Sequence, residues 1–298
     1  MGIAGSDVAK EASKMVLADD NFNTIVKAIE EGRAIYTNIK SFIRYLISSN
    51  IGEVVAVFLG SILGIPEVLT SVQLLWMNLV TDGLPAIALG FNPPEVGIMK
   101  LKPRNKNEPI VGGWALVRYM ITGTYVGIVT VLIYIHWYTH METEDNHKLI
   151  TFDMLRNWTK CDHWDDETRE MATIETECDI FAKDGPRATT MSLSLLVVLE
   201  MFAAISALSE YQSLIVTPPW KNLYLCLAIT ASVSLHLLIL HVPLLRMMFG
   251  VVALSRDEWM WIFIYAAPSI LLEEIIKYII RMQLERSMTK LDDHKKKE

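Results

Sequence analysis

Six apolar runs, each long enough to cross a bilayer, govern what this chain can fold into. They lie near residues 43–63, 71–90, 115–137, 188–208, 222–242 and 259–280. A hydrocarbon core of about 30 Å is crossed by roughly 20 helical residues. Only a helix or a closed barrel satisfies the backbone N–H and C=O groups there without water. The fold predicted is an all-α membrane protein with six transmembrane helices. The first span has a cytosolic extension. Phe22, Ile25, Val26, Ile29, Ile35, Ile39, Phe42 and Ile43 keep helical spacing with no proline between them. One helix is therefore expected from about 23 to 63, with Gly32 as its weakest point. Before it, Ser6-Asp7 can cap a short helix through about residue 17. The first 40 residues are mixed and charged and do not read as a cleavable signal peptide.

Two of the runs carry acids where lipid should be. The first holds the motif Ser48-Ser49-Asn50-Ile51-Gly52-Glu53, and the second holds Asn78-Leu79-Val80-Thr81-Asp82-Gly83-Leu84-Pro85. A carboxylate at the centre of a membrane helix costs about 2.5–3.5 kcal/mol on insertion scales, so it usually lies on an ion or substrate path. Asn50 and Glu53 are three apart and share a helix face, as do Asn78, Thr81 and Asp82. Gly83 and Pro85 are expected to disturb the helix just past Asp82 and free backbone carbonyls. The donors on offer are all oxygen, with no His or Cys nearby. That suits a hard cation such as Ca2+ and not zinc or copper. A single polar residue in such a place is more often glue between helices. Five on two adjacent runs point to a cation path.

Charge sets the expected orientation. Lys100, Lys102, Arg104 and Lys106 follow the second run, and Arg281, Arg286, Lys290, Lys295, Lys296 and Lys297 follow the last. Both basic stretches belong in the cytosol, which places both termini there. The loop 138–187 is acidic and belongs on the opposite side. It supplies much of the net charge of −7, which argues against a nucleic-acid partner. Cys226 and the lone histidines His136 and His236 read as packing. Glu273, Glu274 and Lys277 read as an i,i+4 ion pair near the cytosolic rim. Asn157-Trp158-Thr159 is a glycosylation sequon in the acidic loop.

Several segments resemble the P-type calcium ATPases of the sarco/endoplasmic reticulum type. These are Met15-Val-Leu-Ala-Asp-Asp-Asn-Phe22, Glu30-Glu-Gly-Arg-Ala-Ile-Tyr36 and Phe42-Ile-Arg-Tyr-Leu-Ile-Ser-Ser-Asn50-Ile-Gly-Glu53. The stretch Gln73-Leu-Leu-Trp-Met-Asn78-Leu-Val-Thr81-Asp82-Gly-Leu-Pro-Ala-Ile-Ala-Leu-Gly-Phe-Asn92-Pro-Pro94 is similar almost residue for residue. Shorter matches are Thr190-Met-Ser-Leu-Ser, Leu199-Glu200-Met201, Leu208-Ser-Glu210 and Pro218-Pro-Trp220. The resemblance implies helices five to ten of a ten-helix pump. Residues 1–40 would be the last piece of its phosphorylation domain with the stalk, 41–280 the transport domain and 281–298 a cytosolic basic tail.

The resemblance also implies a calcium-ligand set of Asn50, Glu53, Asn78, Thr81, Asp82 and Glu200. It adds Glu200, which sits mid-run, while Ala203 and Ala204 stand where the family has more polar residues. It implies a lumenal disulfide between Cys161 and Cys178, and it favours reading Lys295 and Lys296 as an endoplasmic reticulum retrieval signal. The phosphorylation motif Asp-Lys-Thr-Gly-Thr, the Gly-Asp-Gly-x-Asn-Asp hinge and the Pro-Glu-Gly-Leu turn do not occur. The chain is thus expected to be the C-terminal transport half of an ATP-driven pump moving Ca2+ from cytosol to endoplasmic reticulum lumen. Mg2+ and ATP would be used only by the complete pump. By itself the chain is expected to be inactive and to read as a fragment, with the bilayer, Ca2+ and a missing N-terminal half as partners. The alternatives are a non-catalytic membrane fragment that binds cations or joins a full-length pump, and a pump for another cation.

Overall fold

A computed structural model describes residues 1–94, 98–100, 109–141, 149–163, 180–181, 185–209, 212–214 and 216–295, with side chains for all of these except 100, 162, 163 and 283–295. The amphipathic pattern that begins at Phe22 becomes one helix. It follows the short α1 (Asp7–Ala12) and is therefore α2 (Asn23–Leu63), 41 residues long. At 1.5 Å per residue it reaches about 60 Å, twice the hydrocarbon thickness. Gly64 ends it in the left-handed conformation (φ 71°), and the Gly64 N–H bonds back to the Ser61 carbonyl. Phe22, Val26, Ile29, Ile35 and Ile39 are exposed along its first half, so the expected apolar stripe is bare in this chain.

Helix α1 is shorter than the sequence suggested. Ser6 caps it as expected, accepting from the Ala9 N–H. The helix then stops at Ala12 because it buries no residue, and a short helix in water has nothing to offset the entropy of lengthening it. The segment is instead pinned by Asp20, which accepts the N–H groups of Ile3 and Ala4. The bond from Ala4 holds the Asp20 carboxyl below its ordinary value.

The second crossing is built from α3 (Ser71–Trp76), a π turn (Met77–Thr81) and α4 (Gly83–Leu89). Then come α5 (Gly113–His140), the short α6 (Phe152–Arg156), α7 (Gly185–Ser206), α8 (Leu223–His241), α9 (Pro243–Phe249) and α10 (Arg256–Lys295). Among the described residues, six helical segments are long and apolar enough to cross a membrane, and they coincide with the six runs read from the sequence. Among the described residues there is no β-strand. Helix α7 is the centre: it touches α2, α4, α5, α8 and α10, and its side chains are buried almost throughout.

Helix α2 packs most extensively against α5, and glycines set how closely. A Cβ on Gly127 would lie 2.7 Å from the Gly52 carbonyl oxygen, and one on Gly123 would lie 2.8 Å from the Ser48 oxygen. The backbones touch there, and nothing flexible is available to give way. Gly127→Val is expected to force the two helices apart at a cost of roughly 1–3 kcal/mol or more. Gly32, with nothing within 4 Å, gives the contrast. Gly32→Ala is expected to be neutral or to stabilise by about 0.5–1 kcal/mol. Thermal unfolding of the two variants in detergent measures this, and equal midpoints would show that the crossing is not glycine-limited.

Three asparagines hold α2 and α4 in register. Asn38 donates to the carbonyls of Gly90 (3.2 Å) and Asn92 (2.9 Å). Asn222 caps α8, donates to the Ala88 carbonyl (3.1 Å) and also meets the Asn92 side chain. The open carbonyls at the end of α4 are thereby satisfied inside the protein.

The predicted Glu273–Lys277 pair is not formed. Glu273 turns to α5 instead, pairing with Arg118 at 2.8 Å and accepting from Thr122 at 2.9 Å and Ser206 at 3.2 Å. Lys277 is fully buried and lies 3.7 Å from Glu274, at i,i+3. A planar guanidinium with several donors suits a buried carboxylate better than the same-helix ammonium does.

Candidate cation site

Three apolar helical segments deliver one carboxylate each to a single point. Glu53 comes from α2, Asp82 from the junction of the π turn and α4, and Glu200 from α7. One oxygen of each lies within 4.8 Å of the others. Their exposures are 6%, 0% and 2%, although carboxylates are almost never fully buried without a partner. No Lys or Arg neutralises them among the described residues, where the cations Arg118, Arg187, Lys277 and Lys10 pair with other acids.

Hydroxyls and one amide knit the trio together. The Ser49 hydroxyl lies 2.9 Å from Asp82 Oδ2 and 2.6 Å from Glu200 Oε1, so it bridges α2, α4 and α7. Tyr45 donates to Asp82 Oδ1 at 2.9 Å. Asn78 donates to Glu53 Oε2 at 2.7 Å. Glu53 Oε1, Glu200 Oε2 and Thr81 Oγ1 are buried with no hydrogen-bond donor or acceptor reaching them. The unsatisfied Glu53 and Glu200 oxygens belong to one cluster, where they are costly and fit ligation of a hard cation, which takes about 6–8 oxygens.

The backbone is irregular here, one turn earlier than the sequence suggested. The Asp82 N–H bonds to the Met77 carbonyl, an i→i−5 step that inserts an extra residue into the turn just before the acid. Such turns cluster at functional sites because they re-aim side chains. Past Asp82 the helix resumes at once, since Pro85 is in the first turn of α4, where its missing N–H costs little. The carbonyl that Pro85 cannot engage, that of Thr81, is met by the Ser232 hydroxyl of α8 at 3.4 Å. A freed carbonyl was expected, and the helix break past Asp82 was not found.

The structure brings together Glu53, Asn78, Asp82 and Glu200, and buries Thr81, the residue before Asp82, with its hydroxyl unpartnered. It does not bring in Asn50, which is exposed and donates to the Leu46 carbonyl at 2.8 Å, so its ligand role rests on spacing and resemblance alone. Ser49 and Tyr45 were not in the predicted set. Their signal was available: 45, 49 and 53 are each one helical turn apart, so they lie on one face of α2. Helix crossing alone makes that face, rather than the Asn50 face, the inner one.

Other predicted residues fall as follows. Cys161 is buried and disulfide-bonded, and its expected partner Cys178 lies outside the described residues. Cys226 is free, with its thiol 3.3 Å from the Pro219 carbonyl. Asn157 follows α6 and donates to the Asp153 carbonyl. Lys295 is the last residue of α10, and Lys296 lies outside the described residues. His236 is packed, with Nε2 2.9 Å from Ser194 Oγ.

Residues 66–279 match the family described as Cation transporting ATPase, C-terminus. This stretch holds Asp82 and Glu200, while Glu53 lies ahead of it. A calcium-transporting ATPase of Plasmodium falciparum (isolate K1 / Thailand) is 54% identical over 287 residues, covering 96% of this chain and 23% of that protein. Two endoplasmic reticulum-type calcium-transporting ATPases of Arabidopsis thaliana, numbered 2 and 4, are 47% and 48% identical. They cover 98% and 94% of the chain, and 29% and 28% of their own length. The chain thus spans about a quarter of the length of these relatives. Six membrane-crossing helices, a buried oxygen cluster on three of them and a match over most of the sequence place the chain in the cation-transporting ATPase C-terminal family.

Proposed function

We propose that this chain is the transport half of an ATP-driven Ca2+ pump of the endoplasmic reticulum membrane. The observation that carries this reading is the convergence of Glu53, Asp82 and Glu200, uncompensated by a basic side chain among the described residues and lined by hydroxyls inside apolar helices. A hard divalent cation is the natural counter-charge for such a site. The relatives named above carry calcium in their names, which agrees with the oxygen-only donor set. In this reading Glu53, Asn78, Thr81, Asp82 and Glu200 hold Ca2+, with Asn50 joining them, and the ion moves from cytosol to lumen. The basic stretches and both termini face the cytosol, and the loop with Cys161, Cys178 and Asn157 faces the lumen. Residues 1–40 belong to the phosphorylation domain and stalk, 41–280 to the transport domain and 281–298 to a basic tail carrying the retrieval lysines. Mg2+ and ATP act elsewhere in the complete pump, and α2 carries the resulting movement to the site.

The test is a chimera. The chain replaces the corresponding segment of a full-length endoplasmic reticulum-type calcium pump, and ATP-dependent 45Ca2+ uptake into vesicles is measured. Uptake that is lost in Glu53→Gln supports the reading. Uptake at the parental rate in Glu53→Gln would sink it. A second reading, a cation-binding membrane chain without turnover, rests on the same buried oxygen cluster. It predicts 45Ca2+ binding by the purified chain and no uptake by the chimera.

A further inference from the structure

We propose that the last turn of α5 is a second metal site, distinct from the carboxylate cluster, in which His136 and His140 chelate a borderline divalent transition ion such as Zn2+. The sequence His136-Trp137-Tyr138-Thr139-His140 sets two imidazoles one helical turn apart. That i,i+4 spacing puts both on one face, the arrangement by which two helical histidines grip one zinc ion. The ring centroids are 5.3 Å apart and the planes differ by 8°. His136 is braced on α10, with Trp261 at 4.7 Å and Tyr265 at 5.7 Å. Its Nε2 is buried and has no hydrogen-bond partner. A buried ring nitrogen left without a partner costs free energy that a ligand would recover.

The tautomer of His140 follows from its neighbours. Thr139 Oγ1 lies 2.9 Å from the Ile135 carbonyl and 2.6 Å from His140 Nδ1. A hydroxyl has one proton, and a carbonyl can only accept. Both contacts are satisfied only when Thr139 donates to Ile135 and Nδ1–H of His140 donates to Thr139. The lone pair of His140 is then on Nε2, at an exposed position. A second-layer hydrogen bond that fixes one ring nitrogen as the donor and leaves the other as ligand is the usual support of a metal-bound histidine. Imidazole nitrogen selects Zn2+, Ni2+ or Cu2+ over Ca2+, so this site does not compete for the transported ion.

The experiment uses the full untagged chain in lipid nanodiscs, titrated with Zn2+ by calorimetry in the presence of excess Ca2+. Cu2+ electron paramagnetic resonance on the same sample reads the number of coordinated nitrogens. The expected result is one Zn2+ site that Ca2+ does not displace and a Cu2+ spectrum with two imidazole nitrogens. His140→Gln, an exposed substitution with little bearing on folding, is expected to weaken Zn2+ at least tenfold and to remove one nitrogen. Thr139→Val is expected to weaken it by about 10-fold or more through loss of the supporting bond. Glu53→Gln should leave it unchanged. Absence of Zn2+ binding, or binding and a nitrogen count unaffected by His140→Gln, would overturn the proposal.

Discussion

Asp82→Asn is expected to weaken Ca2+ binding by the chain in nanodiscs by at least about 100-fold, equivalent to about 2.8 kcal/mol. Asp82 is the most enclosed of the three acids, at 0% exposure, and it receives both Tyr45 and Ser49. The substitution keeps the size and removes the charge in a setting where water screens little, so electrostatics weighs heavily. Ligand charge count is among the chief determinants of calcium affinity. Glu200→Gln should act in the same direction. The comparison with Ser49→Ala separates ligation from scaffolding. Loss of the Ser49 hydroxyl unties two carboxylates without altering their charge, so its effect should be smaller than that of Asp82→Asn. Equilibrium 45Ca2+ binding measures all three, and an Asp82→Asn chain with unchanged affinity would remove Asp82 from the ligand set.

Arg118→Met is expected to destabilise the bundle by about 3–5 kcal/mol. Arg118 and Glu273 are buried, and their pair at 2.8 Å joins α5 to α10. Ser206 links the same carboxylate to α7, and its carbonyl accepts from Arg44 of α2 at 2.9 Å. Removing the guanidinium strands a carboxylate in the interior, which costs more than the pair contributes when intact. The double substitution Arg118→Met with Glu273→Leu should therefore recover much of the loss. Thermal unfolding in detergent across this double-mutant cycle gives the coupling. A double variant no better than Arg118→Met would show that the pair acts through packing and not through charge.

Hydropathy, helix period and the cost of buried charge determined most of the architecture from sequence alone. The six spans, the single helix 23–63 and the presence of acids on the second-run and first-run helices follow from local physics, because apolar length and helical spacing need no partner to be read. Glu53 and Asp82 were legible for the same reason: a carboxylate inside an apolar run, set among further oxygen donors, usually lies on an ion path. What the tertiary structure decided is which face of each helix looks inward. Spacing made Asn50 and Glu53 equivalent neighbours, but the close α2–α5 crossing at Gly52, Gly123 and Gly127 turns the face of Tyr45, Ser49 and Glu53 toward Asp82 and Glu200 and leaves Asn50 outside. The π turn before Asp82 and the choice of Arg118 over Lys277 as the partner of Glu273 belong to the same class. The Ser49–Asp82 and Arg118–Glu273 contacts join groups 33 and 155 residues apart in sequence, brought within hydrogen-bond reach only by helix packing. A local pattern can show that a polar group must be satisfied, and only the assembled bundle determines by what.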